Sequence, residues 1–218
     1  MLSFTEENYL KAIYHLSLQG EKAVSTNAIA DTMQTRAASV TDMLKKLSAK
    51  EVITYEKYYG VNITRKGREA ALLVIRKHRL WETFLVNKLG FNWDEVHDVA
   101  EQLEHIHSPL LIKKLDEFLG YPRFDPHGDP IPDEKGKINS IKQVPLAEAL
   151  ENKKYEISGV KDDGSAFLRY LDKIGIYIGA SIKIIERIEF DGSLEIQIDE
   201  RGKAFVSKEA AQNILLIE

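Results

Sequence analysis

A short stretch rich in glutamate and histidine carries the clearest chemistry of the sequence. The segment VHDVAEQLEHIH, residues 96–107, contains three histidines and two glutamates. In a helix, residues separated by four, seven and eight positions share one face. That spacing groups four ligand-type residues in one stripe: His97, Glu101, Glu104 and His105. A solvated face is expected to include lysine or arginine, and this one has none, so the stripe is a candidate metal site.

A preceding helical stretch offers two further ligands. In RKHRLWETF, residues 76–84, His78 and Glu82 are four residues apart and therefore share a helix face. Mixed nitrogen and oxygen ligands suit Mn²⁺, Fe²⁺, Co²⁺, Ni²⁺ or Zn²⁺, whereas Mg²⁺ and Ca²⁺ prefer oxygen ligands alone. The alternative is a set of solvated or paired polar residues on two amphipathic helices. The number of ligand-type residues on neighbouring helices favours the metal site.

Composition and charge limit the class of protein. The chain has 218 residues, 44% of them hydrophobic and none of them cysteine, which predicts a folded protein without disulfides in a reducing compartment. No apolar run spans a bilayer and no signal peptide is recognisable, so we expect a soluble, cytoplasmic protein with no membrane partner. The net charge is +5 over residues 1–80 and −9 over the rest, which predicts a nucleic-acid-binding surface at the N-terminal end.

This basic part has the pattern of a winged helix. The spacing of apolar residues predicts helices over Thr5–Gln19, Ser25–Met33 and Arg36–Ile53, and the last two are separated by a short turn. Alternating β-branched and aromatic residues over Ile53–Gly67 predict a hairpin. A helix-turn-helix followed by a basic hairpin is typical of winged-helix DNA-binding domains, although an ordinary helical hairpin has a similar pattern.

The third of these helices is the predicted recognition helix. Arg36 is a candidate for a guanine or phosphate contact, and the small Ala38 suits a thymine methyl group. Ser39 and Thr41 are candidates for a base edge or a phosphate. Basic side chains along the helix and hairpin are candidate phosphate contacts that set affinity and its salt dependence. The predicted DNA-binding residues are Thr35, Arg36, Ala38, Ser39, Thr41, Asp42, Lys45, Lys46, Lys57 and Arg65.

The middle of the chain predicts three helices followed by a loop. The first runs from about Lys66 to Lys88, and the second starts at Asn92 with an approximate capping box. The third has Pro109 at its first position and Gly120 after its last turn. Residues 121–137 contain four of the six prolines and are expected to form an ordered loop or linker.

The C-terminal part predicts a small β domain. A short helix over SAFLRYLDKIG precedes two strands that are joined by an Asp191-Gly192 turn, a strong hairpin signal. We therefore expect an α+β protein with an N-terminal winged helix-turn-helix, a central all-α domain and a C-terminal SH3-like β domain. The apolar content of SPLLIKKLDEFLG is too high for a surface helix of a monomer, which predicts that the central domain is a dimerisation domain. The expected boundaries are 1–70 for the DNA-binding domain, 71–137 for the helical dimerisation and metal-binding domain, 138–152 for the linker and 153–218 for the SH3-like domain.

The order of these parts resembles the diphtheria toxin repressor family of metal-dependent repressors. The similarity covers essentially the whole chain, and the long form with DPHG is similar to the manganese-responsive, three-domain members with a FeoA-like last domain. The segments that carry it are YLKAIYHL, SVTDMLKKL, RKHRLWETFLV, VHDVAEQLEHIHS and LDEFLGYPRFDPHGDPIP.

This resemblance implies a first metal site. The family's first ligand precedes the YL of the first helix, which is Asn8 here, where other members have Asp or Met. The second motif implies Glu104 and His105 as ligands. Glu101 occupies a position that is Cys in iron-type members and Glu in manganese-type members.

The resemblance also implies a second metal site. Its ancillary ligands correspond to His78, Glu82 and His97. In the long form a carboxylate and a histidine from the proline-rich loop join them, together with a carboxylate of the C-terminal domain. The corresponding residues are Asp125, His127 and Asp162, with Asp163 as the alternative to Asp162.

The sequence thus predicts a homodimeric, metal-activated repressor of metal-uptake genes, with Mn²⁺ as corepressor and palindromic operator DNA as partner. Metal is expected to tie the first helix to the dimerisation helices and so to fix the spacing of two recognition helices, which must reach major grooves about 34 Å apart. The first alternative is an Fe²⁺-responsive repressor of the same family. A metallohydrolase with Glu82 or Glu101 as base leaves the winged helix unexplained, and a DNA-binding scaffold with an inert core is the third alternative. We expect no enzyme activity and no small-molecule substrate.

Overall fold

The protein is divided into two compact units. The first consists of Met1–His78, Glu101–Pro109 and Pro132–Ile138. The second consists of Arg79–Ala100, Leu110–Ile131 and Asn139–Glu218. The computed structural model describes residues 2–18, 23–57, 59–93, 95–138, 142–162, 164–199 and 202–217. Within these ranges no helix is long and apolar enough to cross a membrane.

The first unit begins with the winged helix that the sequence predicts. Its elements are α1 (Phe4–Leu18), α2 (Thr26–Thr32), α3 (Ala37–Ala49), β1 (Ile53–Glu56) and β2 (Gly60–Ile63). The long α4 (Arg65–Leu89) follows, and its residues from Arg79 onward belong to the second unit. Ser25 caps α2 by accepting the N–H of Ala28. Strands β1 and β2 pair antiparallel, and Val24 forms an additional bridge to Val61.

Helix α3 is shorter than its apolar pattern predicts. Its stripe of Val40, Leu44 and Leu47 is fully buried and packs in the core of the first unit. The helix ends at Ala49 because Glu51 adopts a left-handed conformation, with φ of 61°. The apolar residues after this point therefore belong to β1 and not to the helix.

The prediction of one helix from Asn92 through His107 is wrong at both ends. Helix α5 covers only Val96–Leu103. Asn92 is not its N-cap, because the helix begins four residues later, at Val96. The Asn92 side chain instead donates to the Glu95 carboxylate over 3.1 Å. After Leu103 the chain turns, and the N–H of Ile106 donates to the Leu103 carbonyl. The next helix, α6 (Pro109–Phe118), begins at the predicted proline.

The C-terminal part of the second unit is a six-stranded antiparallel sheet with the strand order β3-β8-β4-β5-β6-β7. Its elements are β3 (Val144–Pro145), β4 (Lys154–Val160), α7 (Ser165–Lys173), β5 (Ser181–Arg187), β6 (Leu194–Ile198), β7 (Gly202–Val206), α8 (Lys208–Asn213) and β8 (Ile214–Ile217). A short 3-10 turn, Leu146–Glu148, follows β3. The predicted hairpin is β5–β6, and Gly192 in its turn has a φ of +73°.

The proline-rich loop is held close to β4 at a glycine. Gly128 has a φ of +87°, and a Cβ atom there would lie 1.9 Å from the Cα of Gly159 and 2.0 Å from the Ser158 carbonyl oxygen. Only glycine allows this approach. The N–H of Val160 in β4 donates to the carbonyl of His127 over 2.9 Å. The loop that carries His127 is therefore fixed against the sheet of its own unit.

Candidate metal centre and nucleic-acid interface

The first centre, in the first unit, is built around Glu104. This side chain is fully buried and lies in the turn that follows α5. His78, on α4, places Nδ1 2.6 Å from one Glu104 oxygen. Lys11, on α1, donates from Nζ to both Glu104 oxygens, over 2.8 and 2.9 Å. Three elements that are distant in sequence thus meet at one carboxylate.

The environment of Glu104 keeps it ionised. Burial opposes its ionisation, but the hydrogen bond from His78 and the charge and hydrogen bond of Lys11 outweigh burial and hold the pKa of Glu104 below its usual value. An ionised carboxylate in a buried position is a hard oxygen ligand that attracts a divalent cation. The site therefore has the charge that metal binding requires.

His105 is oriented for metal binding by a glutamate that the sequence analysis missed. Its Nδ1 lies 2.7 Å from an oxygen of the buried Glu7, on α1. Its Nε2 lies 3.6 Å from Glu104, and its ring stacks on Phe4 with 4.9 Å between the centroids. A histidine that donates one ring N–H to a carboxylate presents the other nitrogen as a ligand. The arrangement thus directs Nε2 of His105 towards the Glu104 side of the centre.

Asn8 fits the role of a neutral ligand. Its Oδ1 is buried and has no hydrogen-bond partner, and buried polar atoms without a partner are rare in folded proteins. A metal ion at the centre would satisfy this oxygen. Glu101, at the end of α5, has a half-exposed side chain 3.2 Å from Lys11 Nζ. The residues present therefore fit a divalent cation with mixed oxygen and nitrogen ligands.

Two lysines at this centre were not anticipated from the sequence. Besides Lys11, Lys77 on α4 places Nζ 3.7 Å from Glu7, and burial lowers the pKa of Lys77 although Glu7 and Glu104 oppose this. Helical spacing groups residues of one helix, so it does not show that lysines of α1 and α4 lie beside Glu104. The spacing of Glu7, Asn8 and Lys11 within one turn of α1 was the available signal.

The second centre lies in the second unit and combines the proline-rich loop with α4. Ligand atoms of Glu82, Asp125 and His127 all lie within 4.8 Å of one another. Glu82 is buried, and its Oε2 is 3.8 Å from Nδ1 of His127. His97, which is exposed, places Nδ1 3.5 Å from the other oxygen of Glu82. Two carboxylates and an imidazole suit the same class of divalent metals.

The ring of His127 is held by Trp93. His127 donates from Nε2 to the Trp93 carbonyl over 2.7 Å, so Nδ1 is the nitrogen left for a metal. The two rings are parallel, with centroids 6.4 Å apart. The indole N–H of Trp93 in turn donates to Asp172 of α7 over 3.0 Å. The role of Trp93 was not predicted, since a backbone carbonyl acceptor leaves no signal in the sequence.

Arg79 fixes the loop that carries Asp125. Its guanidinium donates to the Pro130 carbonyl and to the Asp129 carboxylate, each over 2.6 Å, and lies 3.4 Å from Asp125. Asp125 accepts the N–H groups of His127 and Asp129 on one oxygen, each over 2.9 Å. Arg79 belongs to the RKHRL motif, but the sequence gave no indication that it would contact the proline-rich loop.

Burial and neighbouring charges shift the pKa values of Asp125 and His127. Burial and the Glu82 charge raise the pKa of Asp125 to about 7, against the opposing charge of Arg79. Burial opposes protonation of His127, but the negative charges of Glu82 and Asp125 raise the pKa of His127 to about 9. The carboxylates of Glu82 and Asp125 repel each other when both are ionised. A proton or a metal ion bound between them removes this repulsion.

The C-terminal carboxylate does not join this cluster. Asp162 is exposed, and its Oδ1 accepts the N–H of Gly164 over 2.9 Å. The clusters of potential metal ligands found among the described residues do not include it. The alternative residue, Asp163, lies outside the described residues.

The residues predicted to contact DNA form a surface of the first unit. Nine of the ten are exposed and Thr41 is half-buried, with its hydroxyl donating to the Ala37 carbonyl over 3.0 Å. Asp42 pairs with Lys45 over 3.2 Å, and Arg65 pairs with Glu69 over 3.4 Å. The arrangement leaves one face of α3 and the hairpin open to a partner.

Models of three known protein families match successive parts of the chain. Residues 1–61 match the model of the iron dependent repressor, N-terminal DNA binding domain. Residues 64–133 match the iron dependent repressor, metal binding and dimerisation domain. Residues 144–217 match the FeoA domain.

Two curated relatives are similar to this chain. The iron-dependent repressor IdeR of Mycobacterium leprae is 33% identical over 128 residues, which are 59% of this chain and 55% of the relative. This chain thus spans little more than half the length of that relative. The diphtheria toxin repressor of Corynebacterium diphtheriae is 28% identical over 210 residues, which are 91% of this chain and 90% of the relative.

Solved structures are similar over nearly the whole chain. A manganese-dependent transcriptional repressor in complex with manganese is 34% identical, with a TM-score of 0.73, over 98% of this chain and 99% of that one. The structure of ScaR with bound Zn²⁺ is also 34% identical, with a TM-score of 0.64, over 98% of this chain and 99% of that one.

The unpartnered oxygen of Asn8 gives a direct test of the first centre. We expect Asn8→Ala to leave the melting temperature of the metal-free protein unchanged or slightly raised, because the lost oxygen has no partner and alanine favours the helix. Metal at 100 times its Kd stabilises a protein by about 2.7 kcal/mol. Tenfold weaker binding removes about 1.4 kcal/mol of this, so the Mn²⁺-induced rise in melting temperature should shrink.

The matched control is Asn92→Ala, which alters an exposed asparagine whose side chain contacts Glu95. Its Mn²⁺-induced rise should equal that of the wild type. An undiminished rise in Asn8→Ala would exclude Asn8 as a ligand.

Proposed function

The chain belongs to the iron-dependent repressor family of metal-dependent, DNA-binding transcriptional regulators, and we propose that it is a cytoplasmic homodimer that represses metal-uptake genes when Mn²⁺ occupies its first centre. The family consists of transcriptional repressors and not of enzymes. The two His/Glu clusters are accordingly assigned to metal sensing, and the metallohydrolase alternative is set aside.

One observation carries this proposal. Asn8, with its buried and unpartnered oxygen, lies on α1, the first helix of the winged helix. Glu104 and His105 lie in the turn after α5. A divalent metal bound by all three would supply a multivalent positive charge that joins α1 to this turn. Because α1 packs in the same core as the recognition helix, a fixed α1 fixes the orientation of the DNA-reading surface.

The dimer is supported by the surface of α6. Leu110 is 69% exposed, Phe118 is 61% exposed and Leu111 is 40% exposed in the single chain. Apolar side chains clustered on one exposed helix indicate a protein–protein interface, and the family model that matches here is a dimerisation domain. A two-fold dimer presents two recognition helices related by symmetry, so we propose a palindromic operator.

Manganese is the preferred metal on chemical grounds. The first centre contributes the carboxylates of Glu101 and Glu104, the amide oxygen of Asn8 and one imidazole, and the chain contains no cysteine. Oxygen-rich sites suit Mn²⁺, whereas a thiolate would favour softer metals. Since Mn²⁺ is the weakest binder in the Irving–Williams order, selectivity would come from the response to the metal and not from affinity.

The second centre is proposed to hold the proline-rich loop in place. Glu82, Asp125 and His127 are positioned by the contacts of Arg79 and Trp93. A metal ion here would replace the protons that these buried ligands otherwise share. It would thereby fix the loop to α4 within the second unit.

Metal-dependent retention of DNA tests the proposed function. We expect the protein to retard DNA from upstream of its own gene only when a divalent metal is present, with Mn²⁺ effective. Glu101→Cys should lose the response to Mn²⁺ and keep the response to Fe²⁺ or Co²⁺, because a thiolate is softer than a carboxylate. The measurement is electrophoretic mobility across a titration of each metal.

The control for this series is Glu209→Cys, which introduces a thiol at an exposed position of α8. It should respond as the wild type does. Retention by wild type with Fe²⁺ but not with Mn²⁺ would favour the iron alternative. Retention that no metal alters would contradict the proposed function.

The exposed face of α3 and the hairpin make separable contributions to DNA binding. Lys57→Ala should weaken binding to all sequences and lower the slope of log K against log salt by about one, because it removes a phosphate contact. Arg36→Ala should instead lose about 1–3 kcal/mol of discrimination between operator and random DNA. Lys203→Ala, on β7, serves as the control and should change neither quantity. Unchanged binding by both Lys57→Ala and Arg36→Ala would mean that DNA contacts another surface.

A further inference from the structure

Lys11 contacts the two carboxylates of the first centre that the proposed function assigns to a metal ion. Its Nζ lies 2.8 and 2.9 Å from the two oxygens of Glu104 and 3.2 Å from Glu101. The Lys11 side chain is 15% exposed and that of Glu104 is 0% exposed. The ammonium is therefore largely removed from water and bound to both carboxylates that the proposed function assigns to the metal.

A buried carboxylate makes such a cation necessary. An ionised carboxylate without a counter-charge is costly to bury. His78 contacts only one of the Glu104 oxygens, while Lys11 contacts both. Lys77 lies near Glu7 and makes a longer contact of 3.7 Å there. Lys11 thus supplies the permanent positive charge that balances Glu104, beside the hydrogen bond from His78.

Lys11 also shares its helix face with the proposed ligand Asn8. The two residues are three positions apart on α1 and therefore project from the same side. A metal ion that gains the Asn8 oxygen and Glu104 must separate the Lys11 ammonium from Glu104. Glu104 can consequently bind either the metal ion or the Lys11 ammonium, but not both at once.

We propose that Lys11 is a tethered internal cation that competes with the metal ion for Glu104 and Glu101, and so sets the metal concentration at which the first centre fills. This inference rests on the proposed function for the identity of the metal ligands. Lys11 is not itself a metal ligand, and it opposes metal binding by occupying the carboxylates that would bind the metal. The exchange requires no covalent step, only a movement of the flexible lysine side chain away from the carboxylates.

Lys11→Met tests the competition, because it removes the ammonium and keeps an unbranched side chain of similar length. Titration calorimetry with Mn²⁺ alone, without DNA, should show affinity at the first centre raised by about tenfold or more, since the metal no longer breaks charge-assisted hydrogen bonds. The metal-free melting temperature should fall, because Glu104 loses a counter-charge. Lys11→Gln provides a second neutral variant if the first does not fold.

Two controls make the result specific. Lys114→Met removes an exposed lysine whose Nζ lies 2.7 Å from Glu117, and it should leave Mn²⁺ affinity unchanged. Lys11→Arg keeps a permanent cation and should keep the low affinity. Titration of Asn8→Ala identifies which binding step belongs to the first centre.

The outcomes separate this inference from the proposed function. If wild type binds Mn²⁺ and the neutral Lys11 variants bind it no more tightly, the competition is refuted while the metal-sensing function stands. If only the neutral variants bind Mn²⁺, Lys11 blocks the centre and the proposed metal activation of the wild type is wrong. If no variant binds metal, both are refuted.

Discussion

The burial of an ionised carboxylate is the constraint around which the first centre is organised. Glu104 has no exposure to solvent, so its charge must be balanced from within the protein. Lys11 and His78 provide this balance from α1 and α4. The turn after α5 is thereby attached to the winged helix within the first unit. A divalent metal is the natural competitor for such a position, because it carries more charge and accepts more ligands than an ammonium group.

In the second centre, too, the charges of buried carboxylates are balanced from within the protein, but by different groups. Asp125 and Glu82 are both buried, and Arg79 and His127 supply the opposing charge. The backbone contributes as well, since the close approach of Gly128 to β4 determines where His127 lies. Contacts within the protein therefore hold the loop in place, and the proposed metal would strengthen this arrangement.

Much of the fold followed from local sequence signals, whereas the detailed chemistry of the site did not. The winged helix, the start of α6 at Pro109 and the β5–β6 hairpin depend on apolar spacing, capping and turn residues, which are local. The pairing of Lys11 with Glu104 joins residues 93 positions apart, and no periodicity reports such a contact. The end of α5 at Leu103 was missed because ligand-type residues continued the helical pattern beyond it. The resemblance to a family located the ligand positions but not the lysines that oppose them.

Anomalous X-ray diffraction at the manganese absorption edge tests the central claim most directly. Crystals grown with Mn²⁺ should show one peak bound by Asn8, Glu104 and His105, and a second bound by Glu82 and His127. In the same map the Lys11 ammonium should have left Glu104. A map in which Lys11 still contacts both Glu104 oxygens, with no manganese peak beside them, would contradict the account.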